Sequence, residues 1–517
     1  MTLTSPGDDG PRRPSFDVAV IGGGLLGCAV ARDAAGRGLS VFLCEQNDIG
    51  SGATASVGGA IHAGLHNLAS GRWGILRRNA RERDLLRRAA PFAVRPQAFV
   101  LPHHSRLWPE RKLRPALAAY DRLARTDLPR SRKLRDDEDH AAFGPLQDHF
   151  ASAFEIHDCI ADPARLAMLH ALDANARGAL LVPRHRCVLA EREGARWSVA
   201  LESAAADQRF QIRARVLVNA TGVSVAETAA HIVHAATGNL DIGWLRTKAI
   251  YVRRRPGETA AYLLPGHDGR IIQAIPHGDD LLRISAEEEP VARFDGKTDP
   301  DRREIADLLD IVGQYFAEPP SLEDVVRTEG ALTSVPRSGE DHDVIVDAPQ
   351  ALAPVVTVFG GPVTAHRLVA ERAVDRVSDA LKAGPGWTAG HPLPGTAGFP
   401  DGGIDALVKQ LERTHPFIGG TLARRLAKRY GARATDVLAG AQDRADLGAW
   451  FGAYLTEREV AYLCEREWAQ SAEDVLWRRT RAGLDLDDAG VRRLEAWFAA
   501  RGPQAAGTRR PTQSAAA

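Results

Sequence analysis

The sequence predicts an α/β protein followed by a small helical unit, and three observations carry that reading. Residues 16–383 alternate short Val/Ile/Leu-rich strand patterns with helical ones. Near the N-terminus, FDVAVIGGGLLGCAVARDAAGRGLSVFLCE reads as strand, glycine turn, helix and strand. A Gly/Pro-rich break at residues 384–403 then suits a linker, and residues 404–500 carry helical patterns almost throughout. A chain of 517 residues is too long for one ordinary core, so several units sharing interfaces are expected.

Residues 1–15 read as a flexible lead. From Asp17 to Ile21 an apolar strand meets Gly22, Gly24 and Gly27, spaced GxGxxG. The first glycine makes the tight turn, the second gives a pyrophosphate access to the backbone, and the third lets helix and strand pack closely. SVFLCE is the second strand, ending in Glu45 at the position of a ribose-binding acid. This Rossmann-like fingerprint does not choose between NAD and FAD.

Residues 48–68, DIGSGATASVGGAIHAGLHNL, follow with a concentration of Gly, Ser and Thr that lets a cofactor lie along the backbone. Another apolar strand ends in Ala220-Thr221-Gly222, and VVTVFGG delivers Gly360 and Gly361 before a helical pattern. Pro362 suits the first position of that helix, and the Val363 and Thr364 N–H groups face the same turn. A cofactor held at several points along the chain is the expectation, as FAD is.

Composition excludes as well as suggests. Lys+Arg and Asp+Glu each total 66, so net charge gives no reason to expect nucleic acid. Five cysteines lack disulfide or metal-ligand spacing, which points to a reducing, cytoplasmic compartment and to no metal. No apolar run is long enough to span a bilayer. Residues 72–90 carry seven arginines, readable either as a face for anionic lipid or as a solvated helix face. The last stretch, residues 501–517, reads as a disordered tail.

DVAVIGGGLLGCAVARDAAGRGLSV, IHAGL at residues 61–65, RNARERDLLRRAAPF, VLVNATG, VFGG and AEDVLWRRTRAGL at residues 472–484 together resemble the FAD-dependent glycerol-3-phosphate dehydrogenases, D-amino-acid-oxidase-like flavoproteins. The resemblance implies an FAD-binding Rossmann-like domain interleaved with a mixed-sheet substrate domain over residues 16–383, plus a C-terminal all-helical cap domain over residues 404–500. It implies FAD contacts from Gly22, Gly24, Gly27, Glu45, Gln46, Thr54, Ser56, His62, Gly64, Cys187, Val188, Ala220, Thr221, Gly222, Gly360, Gly361, Val363 and Thr364. It also implies oxidation of sn-glycerol 3-phosphate to dihydroxyacetone phosphate, with electrons passing to quinone at an anionic membrane surface, by a homodimer peripheral on the inner face of the cell membrane.

At the substrate end the chain departs from the family pattern. His66 and Asn67 replace an arginine and a tyrosine, Leu332 stands where an arginine would bind phosphate, Ala249 replaces a histidine, and Pro362 replaces a lysine. His66, His366, Arg367 and Arg337 are the candidates to rebuild an anion pocket and supply a base, with Arg283 and Lys248 as further cations. Three alternatives stay open: another small hydroxy or amino substrate on the same fold, an amine or amino-acid oxidase, or a flavin-binding protein without catalysis.

Overall fold

Apolar runs flanked by glycines become the buried strands of two sheets, between which the chain crosses repeatedly. In this computed structural model the described residues are 13–501, apart from 57, 66, 68–69, 104–108, 125–126, 205–207, 235–239, 256–258, 267–268, 279, 287–288, 292–296, 339 and 341. The candidate His66, the lead as far as residue 12 and the tail beyond Arg501 therefore lie outside the described residues. The elements framing the site begin, in chain order, with β1 (Ser15–Ile21), α1 (Leu25–Gly36), β2 (Val41–Cys44), α2 (Ala53–Ser56), α3 (Trp73–Ala89) and α4 (Pro163–Ala176). They continue with β3 (Arg209–Asn219), β4 (Ile242–Arg253), β5 (Ile271–His277), β6 (Leu281–Ala286), α5 (Arg302–Gly313), β7 (Val325–Pro336), β8 (Val355–Gly360) and α6 (His366–Leu381).

The first sheet runs His342–Asp347, β8, β3, β1, β2, Leu180–Val182, with β8, β3, β1, β2 and Leu180–Val182 parallel. Its central strands are buried on both faces, as a parallel sheet covered by helices requires. α1 packs against α4 and α6, and Val30, Ala34, Leu169 and Val374 share one core. The expected lead is tied down at its end: Pro14 accepts a bond from the Arg213 N–H, and Arg13 pairs with Glu193.

Among the described residues the second sheet has ten strands, and it takes its short strand Ala60–Ile61 from the chain just after α2. This is the interleaving of the two domains. β4 pairs with β6 on one side and β7 on the other. Side chains alternate across a strand, so Ile250, Val252, Leu282 and Ile284 pack on Leu308, Ile311 and Val312 of α5. The opposite face presents Thr247, Ala249, Tyr251, Arg283, Ser285 and Glu329. That face turns toward the segment after α2, for Arg283 Nη1 lies 3.6 Å from where a Cβ on Gly58 would stand.

The C-terminal helices Gly403–Thr414, Gly419–Tyr430, Glu457–Arg466 and Asp488–Arg501 enclose their own core of Leu411, Leu422, Leu426, Tyr430 and Leu463. One short hairpin, Trp450–Gly452 with Leu455–Thr456, interrupts the helical pattern. Buried ion pairs fasten this domain to the first sheet's side: Arg165 to Glu467 at 2.6 Å, and Arg478 and Arg479 to Asp48 at 2.6 and 2.7 Å. Among the described residues no helix is long and apolar enough to cross a membrane.

Candidate active site

The glycine turn is set by space rather than by flexibility alone. Gly22 has φ +108, and a Cβ there would come within 2.4 Å of the Ala220 carbonyl oxygen. At Gly27 a Cβ would meet the Gly22 carbonyl at 2.0 Å, which fixes how closely α1 approaches β1. α1 begins with Gly24 as cap, with no side-chain cap bond and no acid in its first turn. Its positive dipole end is left for an anion. Thr54 stands at that mouth, its hydroxyl accepting the Leu25 N–H at 3.1 Å, and Ser56 ends the same short helix.

Glu45 closes the turn at the end of β2. Its carboxylate accepts N–H bonds from Gly23 at 2.7 Å and Asn47 at 2.8 Å. Burial pushes its pKa up, against those backbone bonds. Gln46 is exposed beside it. Cys187 and Val188 lie on the strand His185–Glu193, whose first N–H donates to the Glu45 carbonyl, and burial pushes the Cys187 thiol up to about 12.

A second set of backbone turns meets the first. Thr221 and Gly222 follow β3, and the Gly222 carbonyl accepts the Ser334 hydroxyl at 3.0 Å. Gly360 and Gly361 both have positive φ, +78 and +90, a conformation that suits glycine. Pro362 is a cap with ψ 157, and Val363–Ala365 form a single 3₁₀ turn before α6. The expectation that Pro362 opens the helix is corrected: extended ψ puts it one residue outside. The Thr364 hydroxyl accepts the His62 N–H at 3.1 Å, joining this turn to the segment that carries His62 and Gly64.

The cationic and catalytic candidates fare differently. His366 is 4% exposed and points into the core, its Nε2 2.8 Å from Nε2 of His170 and its Nδ1 2.6 Å from the Val363 carbonyl. Burial lowers its pKa to about 4, with Arg367 and Arg32 adding to the effect and the Val363 bond opposing it. Arg367 is fully engaged by Glu82, at 2.7 Å from each carboxylate oxygen, and by Glu371 and Thr388. Arg337 is a largely exposed side chain bonded to the Ile242 carbonyl. All three are corrected from substrate-pocket candidates to scaffold or surface residues, because helix packing and pairing claim their polar atoms.

Lys248 and Leu332 also face away. Strand alternation puts both on the α5 side, where Lys248 pairs with Glu289 at 2.6 Å and Glu304 at 2.9 Å. Arg283 does not. Its Nη1 donates to Ser285 Oγ at 2.8 Å, opposite Ala249, while its buried Nη2 has no partner among the described residues. Thr247 Oγ1, on the same face, is likewise buried and unpartnered. The sequence signal for Arg283 is a lone cation in the apolar strand LLRISA.

Two family models match: FAD dependent oxidoreductase over residues 17–376, and the C-terminal domain of alpha-glycerophosphate oxidase over residues 386–502. The chain belongs to the FAD-dependent oxidoreductases. Its cofactor is FAD, and the turns above fit that group through the positive end of α1, with no acid in its first turn, and the glycines at which no Cβ could stand. The chain is 36% identical to a glycerol-3-phosphate dehydrogenase of Pseudomonas aeruginosa, over 94% of this chain and 95% of that one. To a D-erythritol 1-phosphate dehydrogenase of Brucella abortus it is 35% identical, over 93% of this chain and 97% of that one. A crystal structure of glycerol-3-phosphate dehydrogenase from Bacillus halodurans complexed with FAD shares the fold, with a TM-score of 0.73, 22% identity, and coverage of 94% and 90%.

Proposed function

We propose that this FAD-dependent oxidoreductase oxidises the secondary alcohol of a small polyol phosphate, glycerol 3-phosphate first, to the ketone. The carrying observation is Arg283, whose buried Nη2 has no partner among the described residues and which shares with Ala249 the sheet face turned to the cofactor segment. A guanidinium left with a free donor in such a place suits a phosphate oxygen. The names of the relatives give the same substrate class.

FAD would be held along Gly22, Gly24 and Gly27, with its ribose at Glu45 and its ring end between the His62–Gly64 segment and the Gly360–Thr364 turn. Bound FAD supplies the acceptor for the hydride that leaves the alcohol carbon. Arg283 and Thr247 bind and orient the anionic end of the substrate, and the helical domain keeps water from the far side. Ala249, Ser285 and Ala331 are small, buried neighbours on the same face as the guanidinium. The D-erythritol 1-phosphate dehydrogenase relative favours a second reading, the same oxidation on a longer polyol phosphate.

Anaerobic titration decides among these. Bleaching of the bound flavin by glycerol 3-phosphate, by D-erythritol 1-phosphate, or by both identifies the substrate; bleaching by glycine or proline alone sinks the polyol phosphate reading. For the electron acceptor we favour quinone at an anionic membrane face. Trp73 is 57% exposed at the start of α3, beside exposed Arg72, Arg77 and Arg81, whereas Arg83 is buried against Asp158 and takes no part. Failure to float with anionic liposomes at low salt overturns this.

A further inference from the structure

Arg481 stands where the helical domain meets α2, the start of α4 and the second sheet. Its backbone lies in the left-handed region, φ 62 and ψ 12, a conformation unfavourable to any residue with a Cβ. The side chain is 11% exposed and touches three parts of the chain. Nη1 donates to Glu329 Oε1 at 2.9 Å, Nη2 donates to the Ala55 carbonyl, and Asp162 Oδ1 is 3.8 Å away.

Each contact leads toward the cofactor. Ala55 belongs to α2, whose Thr54 hydroxyl takes the first N–H of α1. Glu329 is 5% exposed and pairs in register with Ala249, on the face that carries Arg283. Its other oxygen accepts the Tyr251 hydroxyl at 3.2 Å. Trp477, a second residue of the helical domain, supports the same carboxylate indirectly: Arg327 of β7, whose Nε is 3.4 Å from Glu329, lies over its ring at 3.5 Å from the centroid.

We propose that Arg481 is a positioning residue by which the helical domain holds the cofactor segment at Ala55 against the substrate sheet at Glu329, and so sets the gap that the flavin enters. The proposal rests on FAD as the cofactor and not on which substrate is oxidised. One fork-shaped guanidinium serves two acceptors, one on α2 and one on the substrate sheet, from two separate nitrogens.

The test uses the full-length protein stripped of flavin and reconstituted. FAD affinity is read by flavin fluorescence and the ring environment by the visible band shape, for wild type, Arg481→Met, Arg481→Lys and Glu329→Gln. Arg481→Met is expected to weaken FAD binding at least tenfold and to alter the band; Arg481→Lys restores part of the affinity. Glu329→Gln weakens it in the same direction, and the Arg481→Met/Glu329→Gln double variant is no worse than the poorer single. If Arg481→Met only lowers the melting temperature while affinity and spectrum stay within twofold of wild type, the proposal is overturned. Should Arg481→Met not fold, wild-type affinity and spectrum in both Arg481→Lys and Glu329→Gln overturn it equally.

Discussion

His366 and His170 meet Nε2 to Nε2 at 2.8 Å inside the core, one at the start of α6 and the other on α4. The Val363 carbonyl can only accept, so His366 carries its proton on Nδ1 and offers Nε2 as acceptor. His170 must then donate from Nε2, which leaves its buried Nδ1 without a partner among the described residues. The pair is neutral by construction, and it braces the turn that carries Thr364.

Acid is therefore expected to unfold the protein through this pair. Burial lowers His366 from its ordinary 6.5 to about 4 and holds His170 well below its ordinary value. The unfolded chain binds protons that the folded chain refuses, so the stabilisation is whole above pH 6.5 and is lost as pH falls from there toward 4. The loss from His366 is on the order of 3 kcal/mol. Urea midpoints between pH 7 and 4 measure it, and His366→Gln should flatten the slope.

Arg283→Leu is expected to lower kcat/KM for the polyol phosphate by roughly 10- to 100-fold, one charge-assisted contact's worth. Its flavin content should match wild type, since the side-chain hydrogen bond it makes runs to Ser285 within the substrate sheet. Steady-state kinetics beside the visible absorbance of the purified variant separate the two.

Gly27→Ala is expected to yield protein without FAD. The new methyl would sit 2.0 Å from the Gly22 carbonyl, so α1 must back away from β1 and the N–H groups at its mouth move with it. The ratio of flavin to protein absorbance reads the outcome directly.

Arg367→Met strands Glu82, which is 3% exposed, without its bidentate partner. Breaking one side of a buried pair costs about 3–5 kcal/mol, so the melting temperature should fall sharply. At a temperature where the variant is folded, KM should stay near that of wild type. A selective rise in KM would return Arg367 to the substrate site.

What the sequence disclosed follows from how local each cause is. Gly22, Gly24, Gly27 and Glu45 form a turn whose chemistry is written within thirty residues, so spacing alone reveals it. His366 and Arg367 sit one residue apart at a helix start, and only the packing of α4 and α3 decides that both turn inward. Leu332 stands where the family resemblance puts an arginine, yet its pairing with Arg246 turns it to the helix-covered face. Register across strands far apart in sequence is not visible in any motif. Arg283 became meaningful only once β6 lay beside β4, with Ala249 opposite Ser285.

The stretch between the two domains does not behave as a tether. Trp387 Nε1 donates to the Asp33 carbonyl at 3.0 Å, Arg32 reaches the His391 carbonyl at 3.1 Å, and the Ala89 carbonyl takes both the Leu393 N–H and the Thr396 hydroxyl at 2.7 Å. Gly395 in turn accepts the Ala432 N–H at 2.9 Å. Fastened at so many points, residues 384–403 give the helical domain no swing, and local opening there requires breaking contacts on both sides at once. The cooperative unit is then the entire enzyme: heat should melt both domains in a single transition, and a protease should find its first cut elsewhere.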